Sequence, residues 1–175
     1  MDGAGPGEQA RGLGQEGRGE VESSAARRRI ARRKAGPFDR RRCVEAAPPA
    51  LLHGISQLNR GAYFEQHETL EALWLSEAGD VRYLYQGILL VGIGCYHLLR
   101  GNHAGAAATL ARGITLLRWF EPACQGVDVT RLVADAGRCL DAVRALGPAG
   151  VDRLEGELLP RVHLVNAASP GSPGS

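Results

Sequence analysis

His67 and Glu71 stand four residues apart in the segment Ala62-Tyr63-Phe64-Glu65-Gln66-His67-Glu68-Thr69-Leu70-Glu71-Ala72-Leu73-Trp74. On a helix that spacing puts an imidazole and a carboxylate on one face, about 40° apart around the axis. With His67 at zero, Tyr63, Leu70 and Trp74 fall within about 60° on one side and Phe64 about 60° on the other. The pair therefore lies on the face expected to be buried. Glu65, Thr69 and Ala72 point to solvent, and Glu68 sits on the boundary at about 100°. A buried carboxylate or imidazole without a partner is costly, so the two should bond each other or a neighbouring helix. Such a pair can serve as an internal network that fixes helix register. It can equally serve acid–base chemistry, with Glu71 or Glu68 as general base beside His67. A metal use fails for want of ligands, because one such pair supplies two and position 71 is Glu where H-E-x-x-H needs His. No metal site and no cofactor is expected.

Partners for the pair should come from the next helical segment, where Gln86 and His97 are the polar candidates. They are eleven residues apart, near three full turns, so they share a face but lie about 16 Å apart along the axis. Only one can meet a given level of the bundle. The candidate cluster is thus His67, Glu68, Glu71, Trp74, Gln86 and His97. Nucleophilic and nucleotide chemistry find no support: no G-x-S-x-G occurs, and no strand precedes a glycine-rich loop.

The elements that must position this cluster read as helices throughout. Pro48-Pro49 opens a first helix over 50–59, and Arg60-Gly61 ends it. A second covers 62–77, and Asp80 can cap a third over 81–100. An Ala-rich fourth spans 103–119, where Ala104, Ala107, Ala108 and Ala111 invite a close neighbour, as do Gly87 and Gly94 on the third. Residues 120–127 form a loop, Asp128 caps a fifth helix over 129–146, and a short last helix covers 149–159. No strand-like alternation appears. Short connections imply antiparallel neighbours, so the fold class is all-α: a bundle or stack of helical hairpins with about five to six helices.

Composition sets the boundaries. Among 175 residues, 44% are hydrophobic but only 5% aromatic, so the core must be built from Leu, Val, Ile and Ala. Residues 1–42 carry 11 basic and 6 acidic side chains, and residues 43–175 carry 10 and 13. The first stretch is rich in Gly and Arg and reads as a disordered arm, with 43–165 as the helical domain and 166–175 as a flexible tail. Within the arm, Arg27, Arg28, Arg29, Arg32, Arg33 and Lys34 could neutralise phosphates, but no aromatic residues are interleaved for base stacking. Weak, non-specific polyanion contact is the expectation there. Cys43, Cys95, Cys124 and Cys139 make no C-x-x-C, and reduced thiols in the cytoplasm are expected. The apolar stretch around 87–96 is about half the length a bilayer requires, so no membrane span is expected.

The run Asn59-Arg60-Gly61-Ala62-Tyr63-Phe64-Glu65-Gln66-His67-Glu68-Thr69-Leu70-Glu71-Ala72-Leu73-Trp74 resembles the signature of domain-of-unknown-function family 309, approximately G-x-[YF]-[FW]-E-x-H-E-x-x-E-x-x-W. Tyr85-Gln86-Gly87-Ile88, His97-Leu98-Leu99-Arg100-Gly101-Asn102 and Gly105-Ala106 are similar to that family's later blocks. The resemblance covers roughly 48–146 and implies a small all-α domain with no established activity. Gln66, where the family usually has Ala, departs from it on what reads as a flank of the helix.

Three functional readings stay open. The first is a binding or interaction module for a protein or small-molecule ligand, with an internal His–Glu–Trp polar cluster. The second is a small hydrolytic enzyme using His67 and Glu71 in a pocket, with His97 as a further participant. The third is nucleic-acid association through the Arg-rich arm.

Overall fold

Pro48 and Pro49 lack the N–H that a helix interior requires, but the first turn of a helix leaves its N–H groups unbonded in any case. In the computed structural model, which describes residues 37–165, helix α1 begins there and runs Pro49–Asn59. Gly61 turns the chain at a φ of +80°, and α2 follows as Tyr63–Ser76. Next come α3, Arg82–Leu99, then α4, His103–Leu117, and α5, Val129–Leu146. Asn102 caps α4 by accepting from Gly105 N at 2.9 Å, and Asp128 caps α5 by accepting from Arg131 N at 3.0 Å. Each helix packs on the one before it, and the fold is the all-α arrangement of antiparallel helices that short connectors require.

Helix α3 is central. Every residue from Tyr83 to Gly92 is buried, which is what an all-round apolar helix needs. Its seam with α4 is made by glycines: a β-carbon on Gly113 would lie 3.0 Å from the Gly87 carbonyl oxygen, and one on Gly87 would lie 2.7 Å from Leu117 Cγ. Of the four alanines expected to invite a close neighbour, Ala107 and Ala111 are half-buried. Ala104 and Ala108 are exposed, and α4 buries Ala106, Leu110, Gly113, Ile114 and Leu117 instead.

Several expectations are corrected. Asp80 does not cap α3; its carboxylate accepts from Asp39 N at 2.7 Å, and the cap residue is Val81. The stretch after α5 forms two 3-10 turns, Pro148–Arg153 and Gly156–Leu158, since Gly150, Gly156 and Pro160 suit short turns better than a helix. The loop after α4 holds a small antiparallel ribbon, with β1 as Ala123–Cys124 and β2 as Val127–Asp128. Its two-residue turn places Gln125 at φ +48° and Gly126 at φ +75°, the left-handed pair such a hairpin requires.

The packed unit also starts before residue 43. Phe38 is buried and stacks on Tyr83 and Phe120, with ring centroids 4.4 and 5.6 Å apart. A lone aromatic beside five charged or basic neighbours gave no periodic signal. Cys43 and Cys124 form a disulfide across a sequence separation of 81, so these two are not reduced thiols. Spacing could not reveal that pairing, because it joins the residues before α1 to β1. With it goes the thiol premise for a cytoplasmic location. Among the described residues, no helix is long and apolar enough to cross a membrane. The Arg-rich stretch Arg27 to Lys34, the rest of the arm before residue 37, and the tail after residue 165 lie outside the described residues.

Candidate functional site

Helix α2 is turned about its axis relative to the sequence expectation. Its buried residues are Tyr63, Gln66, Leu70 and Trp74, an arc centred about 50° from His67 toward Gln66. Two corrections follow. Phe64, expected in the apolar face, is 62% exposed. Gln66, expected on a flank, is wholly buried, and its Nε2 donates to Ile88 O of α3 at 3.2 Å. Its Oε1 has no hydrogen-bond partner among the described residues. The room for this amide is supplied by Gly92, where a β-carbon would fall 2.2 Å from Gln66 Oε1.

The turn of α2 moves the titratable pair from the core to its rim. The side chains of His67 and Glu71 are 25% and 18% exposed, and His67 Nε2 lies 4.0 Å from Glu71 Oε2. That is the outer limit of an ion pair and too long for a hydrogen bond. Glu68 is exposed. Trp74 is 2% exposed, with Arg82 of α3 stacked 5.7 Å over its ring and its Nε1 unbonded among the described residues. The structure therefore separates the cluster by depth: Trp74 inside, His67 and Glu71 half-buried, Glu68 in water.

Gln86 and His97 have other surroundings. Gln86 is buried on α3, and His97 at the far end of that helix has Nδ1 3.2 Å from Asn102 Nδ2, in the turn that starts α4. The level of α3 facing Gln66 is that of Ile88 and Gly92, between the two. Among the described residues, no group of three or more His, Cys, Asp or Glu side chains converges as a metal site would require.

Sequence reasoning missed three buried polar residues, Gln57, Gln66 and Gln125. Gln66 could have been found by phasing the helix on Tyr63, Leu70 and Trp74 alone and leaving Phe64 out. Gln125 could not. It is buried in the β1–β2 turn, where its Oε1 accepts from Tyr85 Oη at 2.9 Å and its N–H donates to Cys43 O at 2.7 Å. Near Tyr63, burial pushes the Cys95 thiol up to about 12, and the Tyr63 hydroxyl is likewise raised, chiefly by burial and then by Cys95. Groups held protonated in this way are packing groups, not nucleophiles.

What remains on the surface of α2 is a strip. Phe64 and Leu75, 62% and 51% exposed, bracket His67, Glu68 and Glu71 on adjoining positions of the wheel. The strip is about 16 Å long and can offer two apolar anchors around an acidic centre with one imidazole. Neither the curated proteins nor the solved structures gave a match to the chain. Residues 51–109, which hold most of α1, all of α2 and α3 and the first half of α4, match the model of the family described as domain of unknown function (DUF309), the same family that the motif at 59–74 resembles.

Proposed function

We propose that the domain is a protein-binding module that presents the outer strip of α2 to a basic, amphipathic segment of its partner. One observation carries this reading: Phe64 and Leu75 are exposed on either side of the half-buried His67–Glu71 pair. Exposed large apolar side chains are unremarkable singly, but an aromatic and a leucine flanking charged groups on one helix face have the make-up of a recognition surface. Helix α2 carries Glu65, Glu68 and Glu71 and no Lys or Arg, so the complementary partner is cationic at its centre. A peptide helix with Lys or Arg between two apolar anchors meets both requirements.

Selection from a displayed random-peptide library on the full chain tests it. Enriched peptides should carry a basic centre flanked by Leu or Phe, and their affinity should fall about tenfold or more for Phe64→Ser and for Leu75→Ser. Arg112→Gln, on the exposed surface of α4, should leave it unchanged. Binding that survives both apolar substitutions would refute the reading. Turnover of ester, amide or phosphoester compounds that Glu71→Gln abolishes would replace it with the hydrolytic one.

A further inference from the structure

The stretch after α5 builds a second site that shares no residue with the α2 strip. Asn59 holds that stretch as a strand neighbour would: its Nδ2 donates to Val162 O and its Oδ1 accepts from Val162 N, each at 2.8 Å. Asp128 N donates to His163 O at 2.9 Å and Val165 N donates to Gly126 O at 2.8 Å. The segment is thereby fixed beside α5. A cavity of about 310 Å³ lies there, lined by Arg131, Asp135 and Arg138 of α5 and by Glu157, Arg161 and His163 across from them. Leu158 and Leu159 supply apolar wall.

The charges in this cavity do not cancel. Arg138 is paired with Asp135. Arg161 spends one N–H on Asn59 O at 3.0 Å and keeps its remaining donors. The Arg131 guanidinium makes no hydrogen bond or ion pair among the described residues. Against these two guanidinium groups stands one carboxylate, Glu157. The backbone at the start of α5 offers nothing further, because Val129 N and Thr130 N donate to Pro122 O and Arg131 N to Asp128. Any anion must be held by side chains, and a guanidinium offers the planar pair of donors that suits a carboxylate or a phosphate.

We infer that this cavity binds a small molecule through an oxyanion group, a carboxylate or a phosphate, held between Arg131 and Arg161 with its apolar part against Leu158 and Leu159. The volume is at the lower end of the range for ligand pockets, about 300–1,000 Å³, which limits the ligand to metabolite size.

Amide-resolved NMR titration of the full chain with inorganic phosphate, and separately with succinate, tests this. At least one probe should give saturable shifts confined to residues 131–138 and 157–163, and the probe that saturates identifies the oxyanion. Arg131→Gln should weaken that binding about tenfold or more. Glu157→Gln removes a like charge and should tighten it, while Arg112→Gln on α4 should leave it as it is. Arg131 and Glu157 are exposed, so both variants keep the fold, which their helical circular dichroism verifies. Absence of saturation with both probes, or wild-type affinity in Arg131→Gln, would overturn the inference.

Discussion

Gly92 of α3 lies where that helix passes Gln66 of α2, and the contact allows a double-mutant test of the whole α2 phase. A β-carbon at position 92 would come 2.2 Å from Gln66 Oε1 and 2.9 Å from Nε2. Gln66 is wholly buried and tied to Ile88 O, so its amide has no solvent to retreat into. Gly92→Ala thus carries opposed effects. Helix propensity favours Ala by about 1 kcal/mol. Overpacking costs about 1–3 kcal/mol, and loss of the bond to Ile88 adds about 1 kcal/mol. The expected net is a loss of about 1–3 kcal/mol. Gln66→Ala removes the obstructing amide together with the unbonded Oε1. In that background the β-carbon of Gly92→Ala no longer meets those amide atoms, and the propensity gain of up to about 1 kcal/mol is expressed. The coupling is then about 2–4 kcal/mol, well above the ~0.5 kcal/mol by which independent sites depart from additivity. Urea denaturation of the four proteins, followed by far-UV circular dichroism, measures it. Additive effects, or a Gly92→Ala protein more stable than wild type, would show that the amide does not occupy this contact.

Three further outcomes are expected. Phe38→Ala should cost about 3 kcal/mol, because it empties the stack on Tyr83 and Phe120; a change below about 1 kcal/mol would return this residue to the arm. The Cys43–Cys124 bridge closes a loop across a sequence separation of 81, so reductant should lower stability by about 4 kcal/mol on loop-entropy grounds, and Cys124→Ser should be insensitive to reductant. Burial raises Cys95 to about 12 and Cys139 to about 11 from an ordinary 9.0. A raised folded-state value means that their contribution is whole below pH of about 9 and is lost as pH climbs through 11 to 12, by up to about 1.4 kcal/mol per thiol per pH unit. Between about pH 9 and 10.5, Cys139→Ala should therefore show a shallower fall in urea midpoint than wild type, and equal slopes would contradict the assignment.

The helices were legible because their signals are local. Pro48-Pro49, Gly61, Asp128 and Gly147 each act within a turn of their own position, and the boundaries follow them closely. The disulfide, the buried Phe38 and the Gln125 network were not legible for the converse reason. Each joins residues far apart in sequence: Cys43 to Cys124, Phe38 to Phe120, and Tyr85 to Gln125. None leaves a periodic trace. The candidate cluster falls between these cases. Its residue types and its helix were readable, but its depth depends on how α2 is turned, and on a wheel carrying polar and apolar residues so mixed, two phases about 50° apart fit almost equally well.

Energetics explains which phase the chain adopts. Turning α2 so that Phe64 is buried would gain about 1.5–3 kcal/mol of apolar transfer, but it would carry His67 and Glu71 inward together. Taking the Glu71 carboxylate and the His67 imidazole out of water would cost several kcal/mol, more than the ring returns. The observed phase buries one neutral amide instead, gives it a carbonyl acceptor at 3.2 Å, and fits it against a residue without a side chain. Burying Gln66, a neutral amide with one bond made, costs far less than burying a carboxylate. Exposure of Phe64 is the consequence. The rotation that keeps the carboxylate and the imidazole at the rim also leaves an aromatic ring in water, so the surface on which the binding proposal stands and the buried Gln66–Gly92 contact are two sides of one choice made by a single helix.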